Sequence, residues 1–359
     1  MLRKITAIMC AVCLATFSAC SFAQDNNVND RKVDEVALSA AEDIAKDAAS
    51  VAGKDYGNIS MPENINIQQP EGVYILETKL DIPDKQQTES KGRALFEKYF
   101  GDEFDESCFS FSDGSGAAGY ENGEHGGSYS GDLNICKKDI HFNQYEVRDG
   151  ASYYDLPDDC DKALGEGYSF KTAGDACDNI RGRLGELLGD TNDLELSLSS
   201  LAAFDNDGDK LLFVSGGYSY KGIMLEEKQS PYFKDDGDKM SFYSTANVRA
   251  VTDNNGEILS LFSETGRKVV SAKKQDRLLL LSDAAELLHS ELSELSDHKI
   301  SSIELRYCCR VDDDTDMDKK TLVYEPTWIF VTDSDETGFN RSDIKVSAVT
   351  GEIFLEVDR

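Results

Sequence analysis

Apolar residues recur at helical spacing in several segments of the chain. The segments 89–100, 173–188 and 282–295 each place apolar side chains at positions i, i+3 and i+4, which predicts amphipathic helices. A fourth segment, 33–52, shows the same spacing but is rich in alanine. Because alanine buries little surface, we expect this fourth helix to dock loosely on the rest of the protein.

Alternation of apolar and polar residues predicts strands, chiefly in the C-terminal half. Ile303, Leu305 and Tyr307 alternate with polar neighbours, as in an antiparallel sheet with one covered face. Turns that contain glycine separate several of these segments. The predicted strands are 72–82, 210–224, 241–252, 257–262, 300–311, 321–332, 343–349 and 352–357.

A short pattern occurs twice in the predicted strands. A strand, a tight turn and the triplet Gly-Glu-Ile appear at 248–258 and again at 344–353, and a predicted helix precedes each copy. We interpret this as the duplication of one unit. The sequence therefore predicts an α+β fold made of repeated lobes, each with a helix packed on an antiparallel sheet.

The first residues have the organisation of a secretory signal peptide. Arg3 and Lys4 precede the uncharged run 5–19, and small residues follow. This run is shorter than the roughly 18 apolar residues that a membrane span needs, and no later segment approaches that length. The sequence therefore predicts an exported protein.

Two processing sites compete within this signal. Residues 17–20 resemble a bacterial lipobox, in which Cys20 would be the lipid attachment site. The small residues before Gln24 fit ordinary signal peptidase equally well, with cleavage after Ala23. The predicted location is therefore either the cell membrane, through a lipid anchor, or the periplasmic or extracellular space.

The chain is strongly acidic, with a formal net charge of −31. Nucleic acids and anionic lipid surfaces are poor partners for such a protein, because phosphate binding needs a basic surface. We therefore expect no nucleic-acid partner, and contact with a membrane only through the possible lipid anchor.

Six cysteines lie beyond the signal region, and an exported protein meets conditions that favour disulfides. The four middle ones are expected to pair locally, with the connectivity open. Neighbouring strand residues point to opposite faces, so the last two would form only a strained bond with each other; free thiols or distant partners remain alternatives. The disulfide candidates are Cys108, Cys136, Cys160, Cys177, Cys308 and Cys309.

Acidic clusters give weak candidates for a metal site. Asp312, Asp314 and Asp316 have the spacing of a calcium loop, but Met317 and Val323 stand where the loop needs glycine and glutamate. The cluster of aspartates at 205, 207 and 209 fails in the same way. Both clusters are predicted to be solvated hairpin tips, although weak calcium binding stays open.

The glycine-rich segment 113–131 lacks the features of a phosphate-binding site. It contains seven glycines, but no Gly-Lys-Ser/Thr and no helix pattern follows it. The sequence predicts a flexible loop here. His125 lies within this segment, and neither it nor His141 belongs to a recognisable catalytic motif.

The last 80 residues resemble a known family. A helix and a strand precede Pro326-Thr327-Trp328, and Thr350-Gly351-Glu352-Ile353 follows. This order is similar to the PepSY-like module of exported bacterial proteins, which closes with a Pro-x-Trp strand and a D/T-G-x-I hairpin. The region 165–358 resembles bacterial lipoproteins with two such cystatin-like lobes, and more distantly the extracytoplasmic YycH and YycI regulators. The chain departs from them in its acidic insertions and in the cysteine-containing region 108–177.

The resemblance implies a binding or regulatory role outside the membrane and supplies no catalytic residues. We expect a non-enzymatic cell-envelope protein without a cofactor, whose partner is an envelope protein or peptide. The alternative is an extracytoplasmic hydrolase with a site between lobes, built on His125 or His141. Trp328 is expected to be a core anchor. The predicted regions are a signal peptide (1–23), a polar tether with the alanine-rich helix (24–66), a cysteine-containing α+β region (67–165) and two PepSY-like lobes (166–275 and 276–359).

Overall fold

The computed structural model describes most of the chain after residue 37. The described residues are 38–357 except 81–82, 115, 124, 138–150, 157, 190–192, 207, 227–229, 234–239, 244–246, 265–266, 293–297, 310–320 and 333–341. The predicted signal peptide and Cys20 lie outside this set, as do Asp312, Asp314 and Asp316.

Three of the four predicted helices form with small differences at their ends, whereas the alanine-rich helix predicted over 33–52 begins only at Ile44, because residues 39–43 form a short strand and a 3-10 turn instead. The helices are α1 (Ile44–Val51), α2 (Lys85–Phe100), α3 (Ala173–Leu188) and α4 (Leu281–Leu292). Helix α2 begins four residues before the predicted start because Asp84 and Gln87 form a capping box, each side chain accepting from the other's backbone N–H. Helix α3 begins as predicted, and the Thr172 hydroxyl accepts from the N–H of Asp175.

Strands make up most of the remaining secondary structure. They are β1 (Ser39–Ala40), β2 (Ile59–Ser60), β3 (Tyr74–Leu80), β4 (Phe109–Ser112), β5 (Ala117–Asn122), β6 (His125–Tyr129), β7 (Leu133–Cys136), β8 (Ser152–Asp155), β9 (Glu195–Asn206), β10 (Asp209–Tyr220), β11 (Ile223–Leu225), β12 (Ser230–Phe233), β13 (Met240–Tyr243), β14 (Asn247–Asp253), β15 (Ile258–Ser263), β16 (Arg267–Lys274), β17 (Arg277–Leu278), β18 (His298–Cys309), β19 (Thr321–Thr332), β20 (Ser342–Ser347) and β21 (Ile353–Val357). The protein is thus a mixed α+β fold dominated by sheet.

Three helices each precede a set of four strands paired antiparallel, and in the second set β11, β12 and β13 lie between β10 and β14 along the chain. Helix α2 precedes β4, β5, β6 and β7; α3 precedes β9, β10, β14 and β15; and α4 precedes β18, β19, β20 and β21. Strand β7 pairs with β15, and the short strand β11 pairs with both β10 and β18. These pairings join the three sets of strands into one branched sheet.

Helix α1 packs tightly, so the expectation of a loosely docked helix is wrong. Ile44, Ala48 and Val51 are fully buried, and α1 lies against α4. The Asp47 carboxylate accepts hydrogen bonds from the Ser282 backbone N–H at 2.9 Å and from its hydroxyl at 2.7 Å. Asp47 therefore caps the first turn of α4, a contribution that the helix's alanine content does not reveal.

The glycine-rich segment forms strands β5 and β6, so the prediction of a flexible loop is also wrong. A Cβ atom at Gly127 would lie 2.7 Å from the Phe96 ring, and one at Gly92 would lie 2.5 Å from Ala118 Cβ. Glycine is required at these positions because α2 lies very close to the sheet. At these two positions glycine reflects close packing, whereas Gly116 and Gly123 have positive φ and lie at turns.

The core of the C-terminal sheet lies under α1 and α4. Trp328 is 1 % exposed, and its indole N–H donates to the Leu279 carbonyl at 2.9 Å. The prediction that Trp328 anchors the core is confirmed. Its large buried neighbours on the same sheet are Tyr307, Tyr324 and Phe330.

Candidate functional site

The face of the C-terminal sheet opposite Trp328 carries most of its polar side chains, and we call it the outer face. Residues paired across neighbouring strands share a face, and alternate residues along one strand do so as well. Pairs such as Cys308 with Glu325 and Val323 with Glu77, continued to β16 and β20, therefore place side chains of five strands on one surface. Its members used below are Lys268, Ser271 and Lys273 on β16; Ile75, Glu77 and Lys79 on β3; Val323, Glu325, Thr327 and Ile329 on β19; Cys308 on β18; and Lys345 on β20.

One end of the outer face is a buried ionic cluster. Lys345 Nζ forms an ion pair with Glu226 Oε1, and both residues are buried. Cys308, only 3 % exposed, also interacts with Glu226 and with the Thr327 hydroxyl. Glu226 directly follows β11, the strand that pairs with both β10 and β18. The cluster therefore connects β11 to the centre of the C-terminal sheet.

The buried cysteine of this cluster is a poor nucleophile. Burial raises the pKa of the Cys308 thiol well above its ordinary value, and the negative charge of Glu226 raises it further. The positive charge of Lys345 offsets this only in part. Since the thiolate is the reactive form, the arrangement favours a structural role over redox or nucleophilic chemistry.

The other end of the outer face is exposed and basic. In the described pairings β16 joins only β3, which leaves its second edge open. Lys268, Lys273 and Lys79 are exposed, and within the described part of the chain no acidic side chain pairs with them. This strand was not predicted from the sequence, although its β-branched Val269-Val270 pair flanked by lysines is typical of an edge strand.

A β-bulge places two of these lysines on the same face. Lys268 and Lys273 are five residues apart, an odd number that would put them on opposite faces of a regular strand. Val270 is the extra residue of a bulge, so they lie opposite Lys79 and Ile75, which are four residues apart on β3. Both lysines therefore project from the outer face.

Exposed apolar side chains accompany this basic edge. Val270 is 49 % exposed and Val323 is 48 % exposed. Val323 lies opposite Glu77, whose carboxylate accepts a hydrogen bond from the Ser271 hydroxyl at 3.1 Å. The edge thus combines an open backbone, positive charge and some apolar surface, which is the composition of a site for an extended chain.

The structure separates most of the cysteines from one another. None of the six forms a disulfide in this structure. Cys108 lies beside β4, and Cys136 is the last residue of β7. One row of paired residues crosses β4, β5, β6 and β7, and the two cysteines lie next to its opposite ends. Three strand spacings correspond to roughly 14 Å, too far for a disulfide. Cys309 lies opposite Tyr324, on the face away from Cys308.

The structure places His125 beside a carboxylate and an aromatic ring. Its Nδ1 lies 3.8 Å from the Glu103 carboxylate, and its ring packs edge-on against Phe100. His125 Nδ1 is buried and takes part in no hydrogen bond within the described residues, so no described hydroxyl or thiol is bound to it. His141 lies outside the described residues.

The acidic cluster at 205–209 occupies the β9–β10 hairpin tip, as predicted. Asp205 accepts a hydrogen bond from the N–H of Gly208 at 2.7 Å and pairs with Lys210 at 3.1 Å. Asp207 is outside the described residues. Among the residues that can be described, no group of three or more His, Cys, Asp or Glu side chains is arranged to hold a metal ion.

Comparison with known proteins gives a structural neighbour but no family. No family model and no curated protein matches the chain. A crystal structure of an uncharacterized protein from Eubacterium rectale ATCC 33656 is similar, with a TM-score of 0.51 and 13 % sequence identity. The alignment covers 89 % of this chain and 99 % of that chain. At this identity the likeness shows the α+β fold alone.

None of the helices in the described part of the chain is both long enough and apolar enough to cross a bilayer.

Proposed function

We propose that this is an exported, non-enzymatic cell-envelope protein that binds an extended acidic polypeptide along the free edge of β16. Three observations support this proposal: the signal pattern at the N-terminus, the resemblance of the lobes to a binding module, and the chemistry of the exposed edge. The last of these carries the proposal.

Export rests on the sequence of the first 23 residues. A basic start, an uncharged run and small residues are the ordered parts of a secretory signal. Cys20 would be acylated if the lipobox is used, and cleavage after Ala23 would release the protein instead. Either route places the protein outside the cytoplasm.

The lobe assignment extends the resemblance to PepSY-like proteins. Helix α3 with its four strands and helix α4 with its four strands are the two lobes that we propose to be PepSY-like. Helix α2 and strands β4–β7 repeat the same order, so we add a third, more divergent lobe within the predicted cysteine-containing α+β region 67–165. Tight turns at Gly256 and Gly351, both with positive φ, support the correspondence of the last two lobes.

The open edge of β16 supports binding of an extended chain. An added strand would form main-chain hydrogen bonds with β16, as in other cases of β-strand addition. Positive charge at this edge, on a protein of net charge −31, favours an acidic segment here. Because Lys268 and Lys273 lie opposite residues four apart on β3, the best ligand carries acidic residues four positions apart.

The direct test is binding of a designed peptide to the full chain. The probe is a short, β-prone, fluorescently labelled peptide with glutamates four positions apart, and its glutamine version is the neutral control. Fluorescence anisotropy should give saturable binding of the acidic peptide only. The variant Lys268→Glu/Lys273→Glu should bind it at least about tenfold more weakly, since two attractive contacts become repulsive.

A matched variant controls for net charge. Lys54→Glu/Lys171→Glu makes the same change in charge at two other exposed lysines and should bind as the natural protein does. Equal binding by all three proteins, or no difference between the acidic and neutral peptides, would overturn the proposal. Lysines on an edge strand can also serve only to prevent self-association. In that case the β16 variant would oligomerise, as seen by size-exclusion chromatography, without a change in peptide affinity.

A further inference from the structure

The turn before α3 brings two cysteines together, and this observation is independent of the proposed binding function. Cys160 lies in a turn whose carbonyl groups accept hydrogen bonds from the first turn of α3. The N–H of Gly174 donates to the Cys160 carbonyl at 2.9 Å, and the N–H of Ala173 donates to the Lys162 carbonyl at 2.9 Å. The turn is therefore fixed over the N-terminus of the helix.

The backbone of Gly174 lies very close to Cys160. A Cβ atom built at Gly174 would lie 3.2 Å from Cys160 Cβ and 3.0 Å from its carbonyl oxygen. Any larger residue at position 174 would push the turn away from the helix. The absence of a side chain at this position leaves the space beside Cys160 open to the next residue on the same helix face.

Cys177 is that next residue. Residues i and i+3 of a helix lie on one face with Cβ atoms roughly 5–6 Å apart, so Cys177 stands one turn above Gly174. Helical side chains lean toward the N-terminus, which directs the Cys177 thiol toward Cys160. Among the cysteines of the described chain, these two thus combine proximity with a suitable direction.

We propose that Cys160 and Cys177 are oxidised to a disulfide in the exported protein. The oxidant is a disulfide donor, either a thiol oxidoreductase or a small-molecule disulfide. The Cys160 thiolate attacks the donor's S–S bond and releases one thiol. The Cys177 sulfur then attacks the mixed disulfide at Cys160, releasing the second thiol. The donor is reduced to two thiols, and it takes up the two electrons and two protons that the cysteines lose.

The environments of the two thiols indicate which one reacts first with the oxidant. Burial, followed by the nearby negative charge of Asp178, raises the pKa of Cys160. Burial and the neighbouring Cys160 raise the pKa of Cys177 to about 12. Cys160 is half-buried whereas Cys177 is buried, so Cys160 meets the oxidant first. Because both pKa values are raised, the thiolate fraction and the rate of oxidation increase as the pH rises.

Mass spectrometry of the full chain tests the pairing. The purified protein is treated with oxidised glutathione at mildly alkaline pH, its remaining thiols are alkylated, and it is digested with trypsin without reduction. We expect a linked pair of the peptides 149–162 and 172–181, which contain Cys160 and Cys177 and separate on reduction. Full alkylation of both cysteines, or a link from either one to another cysteine, would overturn the proposal.

Variants and thermal unfolding give a second readout. The melting temperature of the oxidised protein should fall by roughly 5 °C or more on reduction, because the bond closes a loop in the unfolded chain. Cys160→Ser should abolish this shift, and Cys108→Ser should preserve it. Cys160 is half-buried and serine has nearly the shape of cysteine, so this substitution should leave the fold intact. A shift that persists in Cys160→Ser would contradict the assignment.

Discussion

The two ends of the outer face of the C-terminal sheet differ in whether their lysines are buried and paired or exposed. Lys345 is 5 % exposed and paired with Glu226 beside the buried Cys308. Lys268 and Lys273 belong to the same continuous surface but are exposed, with no acidic partner in the described structure. The difference follows from position: one end is central to the sheet, and the other is its edge.

On this one face, the buried lysine matters for stability and the exposed lysines matter for binding. A buried lysine must be paired, because an uncompensated charge in the interior is costly. An exposed lysine contributes little to stability and keeps its charge available to a ligand. Substitutions at the buried end should therefore change folding, and substitutions at the edge should change peptide affinity.

The largest expected effect comes from breaking the buried ion pair. Lys345→Met leaves the Glu226 carboxylate buried and unpaired, and should lower the free energy of unfolding by about 3–5 kcal/mol in urea titrations. Adding Glu226→Leu removes the orphaned charge and should restore most of the loss. A loss below about 1 kcal/mol in the single variant would show that the pair is solvated.

The protection of Cys308 is the next largest effect. Its raised pKa leaves little thiolate at neutral pH, and burial blocks access of reagents. Alkylation by iodoacetamide, followed residue by residue with mass spectrometry, should be at least about 100-fold slower in the native protein than in urea, and should speed up as the pH rises. Rapid native labelling at neutral pH would place Cys308 at an accessible, reactive site instead.

Salt should weaken peptide binding without changing stability by a similar amount. The contacts of Lys268 and Lys273 are exposed to solvent, whereas the pair of Lys345 with Glu226 is not. Raising the salt concentration from about 0.1 M to about 1 M shortens the Debye length from roughly 10 Å to 3 Å and should lower affinity by about tenfold. Affinity that is indifferent to salt would mean that apolar contacts at Val270 and Val323 dominate.

The smallest expected effect is at the lysine that ends β16. Lys274 lies opposite Tyr74, on the face away from Lys273, and pairs with Asp276 at 3.5 Å. Lys274→Glu should change peptide affinity by less than about twofold in the anisotropy assay. A loss comparable to that of the Lys273→Glu variant would show that general charge, and not the outer face, determines binding.

The sequence predicted α2, α3, α4 and most strands of the C-terminal half because their side-chain patterns are local, but it missed other strands, including β4–β9 and β16. Helix 173–188 and strand 321–332 have the predicted bounds, since each has a clear period and an evident start. The predicted strand 210–224 is interrupted, because positive φ at Lys221 and Gly222 turns the chain between β10 and β11.

The missed features depend on contacts between distant parts of the chain. Gly127 on β6 and Gly92 on α2 are needed because α2 lies close to the sheet, and no local pattern reports that approach. The ion pair of Lys345 with Glu226 joins residues 119 positions apart. The edge strand β16 carried a usable signal, the Val269-Val270 pair between basic residues, but its open edge becomes visible only once the pairing with β3 is known.

Hydrogen exchange on the full chain shows whether an acidic peptide binds along β16. Amide exchange is compared for the free protein, for the protein with the acidic peptide, and for the protein with its glutamine version. We expect the acidic peptide alone to slow exchange of amides on the open edge of β16, between residues 267 and 274, and Lys268→Glu/Lys273→Glu to abolish this protection. Unchanged exchange at β16 with a saturating amount of bound peptide, or protection confined to another strand, would contradict this expectation.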